Sequence, residues 1–368
     1  MKTRYFGVDL HSNQITIHLI KKDENGNVER EQEKIYINEV TEKFLPKLTT
    51  DSYVCIEASG MTFSFAHLIK PLVKKVVIIN PMDFKALYCS GKKTDKIDAK
   101  LLANRLKYYI EAKDENEDFP EVYLPDIDAI ELRGLFSVYR LYTENIASYK
   151  NRIHSIIKSN LIVYNKDTLF THIEMILNSH NFSKVDLFNI RLILSDIEKL
   201  EESKKEIIKE ILKKSYERYM EEIKLIISII GISDFGASAI MSDLIDIKRF
   251  KNAKKLARYL RSAPKIDSSN KEVHLGRTDK KGRKLSFSMI LQGLVHLVKK
   301  SEAIRNFYER KTKGKSKCKV RTAIVRKTIV AIYYMLKNKE LYRGYNEASY
   351  DRKLKQIERN KKIFLKVA

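Results

Sequence analysis

The sequence predicts an α/β amino-terminal domain, a long helical arm and a mainly α carboxy-terminal domain. Three observations carry this. Strand-like and helix-like segments alternate over residues 4–110, and apolar side chains recur at three- and four-residue steps through most of 126–222. Beyond 223 the pattern is mainly helical, with Gly231, Gly236, Pro264, Gly276 and Gly282 as punctuation. The expected divisions are 1–125, 126–222, 223–340 and a basic tail at 341–368.

In the first region, Arg4–Leu10 and Gln14–Ile20 read as strands joined by a tight turn at His11–Asn13, with alternation through Ile15, Ile17 and Leu19. Asn25–Gly26 is a turn signal, after which Lys34–Asn38 supplies a third strand. A helical Val40–Leu48, a strand Ser52–Glu57, a helical Thr62–Val73 and a strand Lys75–Asn80 follow, then a helix capped by Thr94. Hairpin strands followed by βα units make a mixed sheet flanked by helices. In the second region, the run from Leu132 to Ile157 and the run from Val185 to Ile223 are both amphipathic. Periodicity alone is equally consistent with a coiled-coil arm and with a bundle packed on the first domain.

Composition narrows the function. The 368 residues include 71 Lys+Arg against 47 Asp+Glu, a net charge of +24 that favours a polyanionic partner, nucleic acid first. The stretch 299–327 holds twelve Lys/Arg and only two acids, Glu302 and Glu309, where a solvated helix face would mix signs. It is expected to contact phosphates. The three cysteines, Cys55, Cys89 and Cys318, are too scattered for a disulfide framework or a zinc site. No apolar run reaches the length of a membrane span, and Met1–Arg4 leads into a strand, so the expected location is cytoplasmic and nucleoid-associated.

Four carboxylates stand out. Asp9 and Glu57 each end an apolar strand, where a buried carboxylate is costly unless it meets a cation or strong donors. Asp95 and Asp98, three apart behind Thr94, share one face of the first helical turns. Singly, each has an ordinary explanation, as a turn former or as compensation of the helix dipole. Together, in a strand-strand-strand-helix-strand-helix-strand-helix order, they have the layout of RNase H-like (RuvC-like) nucleases. Four oxygen donors with no His or Cys close by in that reading suit Mg²⁺ or Mn²⁺. Lys92, Lys93, Lys96 and Lys100 would guide a phosphate backbone towards them.

These residues resemble a known family. Gly7-Val8-Asp9-Leu10-His11, Ile56-Glu57-Ala58-Ser59-Gly60, Ile79-Asn80-Pro81 and Lys93-Thr94-Asp95-Lys96-Ile97-Asp98-Ala99-Lys100 look like the motifs of DEDD transposases of the insertion sequence 110 family, relatives of the Piv-type DNA invertases. Further on, Ile230-Gly231-Ile232, Ala237, Ala239, Asp246-Ile247 and Arg249-Phe250 resemble that family's helix-hairpin-helix-like segment, although Ile230 and Ser233 stand where Pro and Gly are common. Pro264–Asn270, Leu275-Gly276-Arg277 and Lys280-Lys281-Gly282 match the block that carries the family's catalytic serine. The matching position is Ser269, with Ser268 as the adjacent alternative and Asn270 where Gly usually follows.

The resemblance implies a composite site in which Ser269 attacks DNA while Asp9, Glu57, Asp95 and Asp98 hold the metal. It also implies a homodimer or tetramer, donor and target DNA as substrates, and a structured non-coding guide RNA. The rival reading is a RuvC-like structure-specific nuclease such as a junction resolvase, which needs the acids but not the serine. An actin-like or sugar-kinase-like ATPase would also begin with a Gly-x-Asp strand, but only 12 glycines occur and no phosphate loop is evident.

Overall fold

The computed structural model describes residues 3–82, 94–112, 119–269, 272–279 and 281–364. The side chains of 265–269, 272–275 and 277 lie outside that description, as do Lys92 and Lys93 altogether. Contacts divide the chain into two compact units, Met1–Asp126 and Ile127–Ala368.

The first unit is built on a six-stranded sheet in the order β3-β2-β1-β4-β5-β6. β1 (Thr3–Leu10), β2 (Gln14–Lys22) and β3 (Val28–Tyr36) form an antiparallel meander. β4 (Ser52–Glu57) and β5 (Lys75–Ile79) add parallel to β1, and the two-residue β6 (Glu121–Val122) closes the far edge antiparallel. Successive side chains alternate between faces, so each strand feeds two cores. Phe6, Val8, Ile17, Val54 and Ile56 pack with Phe44, Phe65 and Ile69, the last two from α1 (Thr62–Ile69). Tyr5, Ile20, Cys55, Val77 and Ile79 pack on the opposite face with Leu102, Ala103 and Leu106 of α2 (Asp95–Ala112).

Two expectations are corrected here. The third strand begins at Val28, not Lys34, because the turn at Asp23–Asn27 sets a register pairing Lys22 with Val28 and Gln14 with Tyr36. Its charged Glu29–Lys34 run does not look like a strand in sequence; it is an edge strand, where charges discourage further pairing. The segment expected as a helix at Val40–Leu48 is a π-helical turn, Val40–Phe44, followed by a 3-10 turn, Leu45–Lys47. Pro46 lacks the N–H that a continuing α-helix would need. The third region is mainly helical, as expected, and also contains a β-hairpin, described below.

The second unit starts with α3 (Ile127–Ser159), α4 (Ile173–Ser179) and α5 (Lys184–Ile227), whose Ser183 cap accepts from Asp186 N at 3.0 Å. α3 and α5 pack on each other through Ile146, Ile153, Ile157, Ile190 and Ile197, with Leu169, Ile173 and Leu177 closing that cluster. The other ends of both helices, through Leu132, Phe136, Ile223 and Ile227, join the large core of α6 (Asp234–Leu244), α7 (Ala253–Tyr259), α8 (Leu285–Lys300) and α10 (Lys317–Asn338). Between α7 and α8 lies the hairpin of β7 (Pro264–Ser269) and β8 (Glu272–Thr278). α9 (Glu302–Thr312) leads into α10. Residues 347–364 of the basic tail form a helix, α11 (Glu347–Phe364), whose Lys353 Nζ donates to Ile227 O and Ile229 O at 2.6 and 3.0 Å. No helix among the described residues is long and apolar enough to cross a membrane.

Candidate active site

The site is assembled by the packing of α2 on β1. Gly7 leaves no space for a side chain: a Cβ there would lie 2.1 Å from Ala99 O and 2.4 Å from Ala103 N. The helix backbone therefore rests directly on the strand. At the far end, Tyr5 Oη donates to Glu111 Oε1 at 3.3 Å and Lys22 Nζ pairs with the same oxygen at 3.1 Å. These contacts set α2 antiparallel to β1, which brings its first turn to the strand's carboxy-terminal end.

Asp9 sits at that end, two residues beyond Gly7 and on the same face. Glu57 ends the neighbouring parallel strand, one step past the Val8–Ile56 pair, and alternation places it on the face shared by Tyr53 and Cys55. Asp95 and Asp98 head the α2 stripe that buries Leu102 and Leu106. As expected, Thr94 caps this helix: its carbonyl accepts from Ile97 N and Asp98 N at 2.9 and 3.0 Å. The four acids thus occupy one end of one sheet face.

Their closeness is uneven. The closest group is Asp9, Asp95 and a residue that sequence reasoning had not placed there, His11. His11 Nε2 lies 3.1 Å from Asp9 Oδ2 and 3.6 Å from Asp95 Oδ1, and donor atoms of all three fall within 4.8 Å of one another. The expectation of a set without nearby histidine is therefore corrected. His11 lies in the turn just past the end of β1, where no local pattern marks it until α2 lies over the hairpin. Asp98 lies within electrostatic range of Asp9, while Glu57 stands on the adjacent strand outside the closest trio.

Burial pushes the Asp9 carboxyl above the usual carboxylate range; His11 opposes this through charge and hydrogen bonding, and Asp95 and Asp98 push the same way as burial. A carboxylate disfavoured by desolvation and like charges is stabilised by a cation placed between them. The donor set, carboxylates with one imidazole and partly exposed Asp95 and His11, fits a divalent metal with open positions for substrate. Lys96 and Lys100 are exposed on the solvent side of α2.

Two family models match the chain, one described as Transposase, of the DEDD insertion-sequence type, over residues 6–161, and one described as Transposase IS116/IS110/IS902 family over residues 223–309. Together they cover well over half of its length. The chain belongs to the IS110 family of transposases. It is accordingly an enzyme that cuts and rejoins DNA, with DNA as its substrate and a divalent metal as the cofactor its acidic type suggests. No curated protein matches it.

The second match spans the part of the transposase that holds Ser269. The backbone places Ser268 and Ser269 at the end of β7, where Ser269 pairs with Glu272. The feet of this hairpin are bonded to each other, and the chain beyond it is bonded to the end of α7. Asp279 N donates to Ala263 O at 2.9 Å, and Arg283 N to Tyr259 O at 2.8 Å. Fully buried Asp243 of α6 accepts from Arg283 Nε at 2.7 Å and from Ser286 N and Oγ at 3.0 and 2.8 Å. A buried carboxylate needs such a complete set of donors, and here the set ties α6 to the chain leaving the hairpin. Serine and acids lie in different compact units.

Proposed function

We propose that this transposase recombines DNA through a metal-bound acidic site, Asp9, Glu57, Asp95 and Asp98, together with a serine nucleophile, Ser269. The observation that carries the reading is the convergence of Asp9 and Asp95 at the end of β1, under a helix seated on Gly7. Mg²⁺ is the expected ion, with Mn²⁺ the alternative, and when bound it would polarise the scissile phosphate and stabilise developing charge. The first unit is read as an RNase H-like (RuvC-like) domain on its strand order and the position of the acids.

In the proposed step, the Ser269 oxygen bonds to phosphorus while the bond from phosphorus to one deoxyribose oxygen breaks. The serine proton is lost to a base, and the departing oxygen takes up a proton to become a free hydroxyl. A hydroxyl of the partner DNA end later attacks the phosphoserine diester, which rejoins DNA and restores the serine. Because the acids and Ser269 belong to separate units, we assign the long α3–α5 pair the role of a coiled-coil arm in a dimer or tetramer that brings one subunit's serine to another's acids. The resemblance to RNA-guided recombinases adds a structured guide RNA as a further partner, which part of the net charge of +24 would serve.

The test incubates the protein with labelled element-end DNA, Mg²⁺ and RNA transcribed from the element's flanks. The expected result is a denaturant-resistant protein–DNA adduct that Ser269→Ala abolishes and Ser268→Ala retains. Metal-dependent cleavage without an adduct, equal in wild type and Ser269→Ala, would instead support a resolvase-like nuclease.

A further inference from the structure

We infer that His11 is a direct ligand of the divalent metal, so that the site is a mixed nitrogen–oxygen centre with a stronger preference for Mn²⁺ over Mg²⁺ than its carboxylates alone would give. This rests on the reading that Asp9 and Asp95 hold a cation.

Geometry comes first. The β1–β2 turn is closed by His11 N donating to Gln14 O at 2.9 Å, which fixes the histidine backbone at the mouth of the site. From there the ring reaches Asp9 on its own hairpin and Asp95 on the first turn of α2, at 3.1 and 3.6 Å, through the same nitrogen. One nitrogen cannot satisfy two carboxylates by a single N–H donated along one direction. A cation between the three satisfies all of them. Adjacent donors of an octahedral ion with bonds of about 2.1 Å lie roughly 3 Å apart, and opposite donors roughly 4.2 Å. The two separations from His11, 3.1 and 3.6 Å, fall within that range, and the three donor atoms lie within 4.8 Å of one another.

Exposure agrees with this role. Asp9 is only 14% exposed, while His11 and Asp95 are 48% and 47% exposed. The cation would be anchored from the sheet and open towards solvent, where water and phosphate oxygens could complete its shell. Donor chemistry then sets selectivity. Mg²⁺ favours oxygen and gives up its water reluctantly, whereas imidazole raises the affinity of transition ions. Replacing one carboxylate or water ligand by imidazole therefore moves the balance towards Mn²⁺.

The experiment measures binding rather than turnover. Full-length protein is titrated with Mn²⁺, followed by the loss of the free-ion electron paramagnetic resonance signal, then competed with Mg²⁺. Electron spin echo modulation of the bound ion reports any directly coordinated nitrogen. The expected result is a nitrogen coupling in the wild type that disappears in His11→Ala and in His11→Gln. Both variants should still bind Mn²⁺ through the acids, with the Mn²⁺-over-Mg²⁺ preference reduced about tenfold or more. Circular dichroism of the two variants checks that they fold. Mn²⁺ binding that depends on Asp9 but shows no nitrogen coupling, or a coupling that survives His11→Ala, would overturn the assignment of His11. Mn²⁺ binding left unchanged by Asp9→Asn would overturn the metal reading itself, and the ligand assignment with it.

Discussion

Asp9 occupies a position that disfavours its own charge, since burial and the neighbouring Asp95 and Asp98 all raise its pKa. Asp9→Asn should therefore leave the thermal midpoint equal or slightly higher, keep DNA binding nearly intact and reduce strand cleavage on the order of 100-fold or more, as removal of one transition-state partner does. Cleavage, gel-shift and melting measurements on the one variant check all three. His18 gives a second prediction. It is 5% exposed on β2, its two ring nitrogens have no partner among the described residues, and burial, then Lys100 and Arg30, lowers its pKa. Its folded form resists the proton that the unfolded chain takes up below about pH 6.5. The stability associated with a neutral His18 is thus complete above that pH and is lost as pH falls towards its lowered folded value. His18→Leu should flatten the decline in melting temperature below about pH 6.5. The acids were readable as strand ends and as a helical i, i+3 pair. His18 and His11 were not singled out, because one His among alternating apolar residues, or in a turn, carries no signal until a second element lies over it.

At the scale of elements, the decisive contact is that of α2 with Gly7. Gly7→Ala forces a methyl into the Ala99 carbonyl and must displace the helix that bears Asp95 and Asp98. A loss of about 1–3 kcal/mol is expected from such overpacking, with weaker metal binding than any change of charge would explain. Denaturant unfolding and Mn²⁺ titration of Gly7→Ala measure the two effects. β1, β2, β4 and β5 could be read from alternation and apolar runs, and their bounds in the structure differ by only a few residues. Of β3 only the last residues could be read, because its charged Glu29–Lys34 run lacks apolar alternation, as an edge strand may, and the β7–β8 hairpin was not read as strands. The ends of β7 and β8 are joined by Asp279 N donating to Ala263 O, and the chain beyond them is tied to α6 by Arg283 and Asp243.

Across the whole molecule, charge is the dominant feature. Lys311, Lys313, Lys315, Lys317 and Lys319 are all exposed on α9, α10 and the link between them, and the first turn of α10 carries Lys317 and Lys319 but no acid. Cations at a helix amino terminus oppose the dipole, so the fold does not gain from them there. A phosphate backbone would. Replacing these five lysines by glutamine should leave the melting temperature almost unchanged and lower the slope of log affinity against log salt by about 0.9 for each duplex phosphate left unneutralised. Binding isotherms between low and physiological salt provide the check, and an unaltered slope would place this surface off the nucleic acid.

The amino-acid sequence by itself determined the mixed sheet of the first unit, the helical character of the second, the strand-end and helix-start positions of the four acids, and the polyanionic nature of the partner. Each depends on local periodicity or on composition, which short-range physics sets. Tertiary structure alone decided that His11 stands between Asp9 and Asp95, that Gly7 is the seat of α2, and that Asp243 clamps the base of the serine hairpin. Those are contacts between residues 84, 92 and 40 positions apart in the chain. No local pattern encodes such distances; only the packing of helix on sheet, and of helix on loop, brings the atoms together.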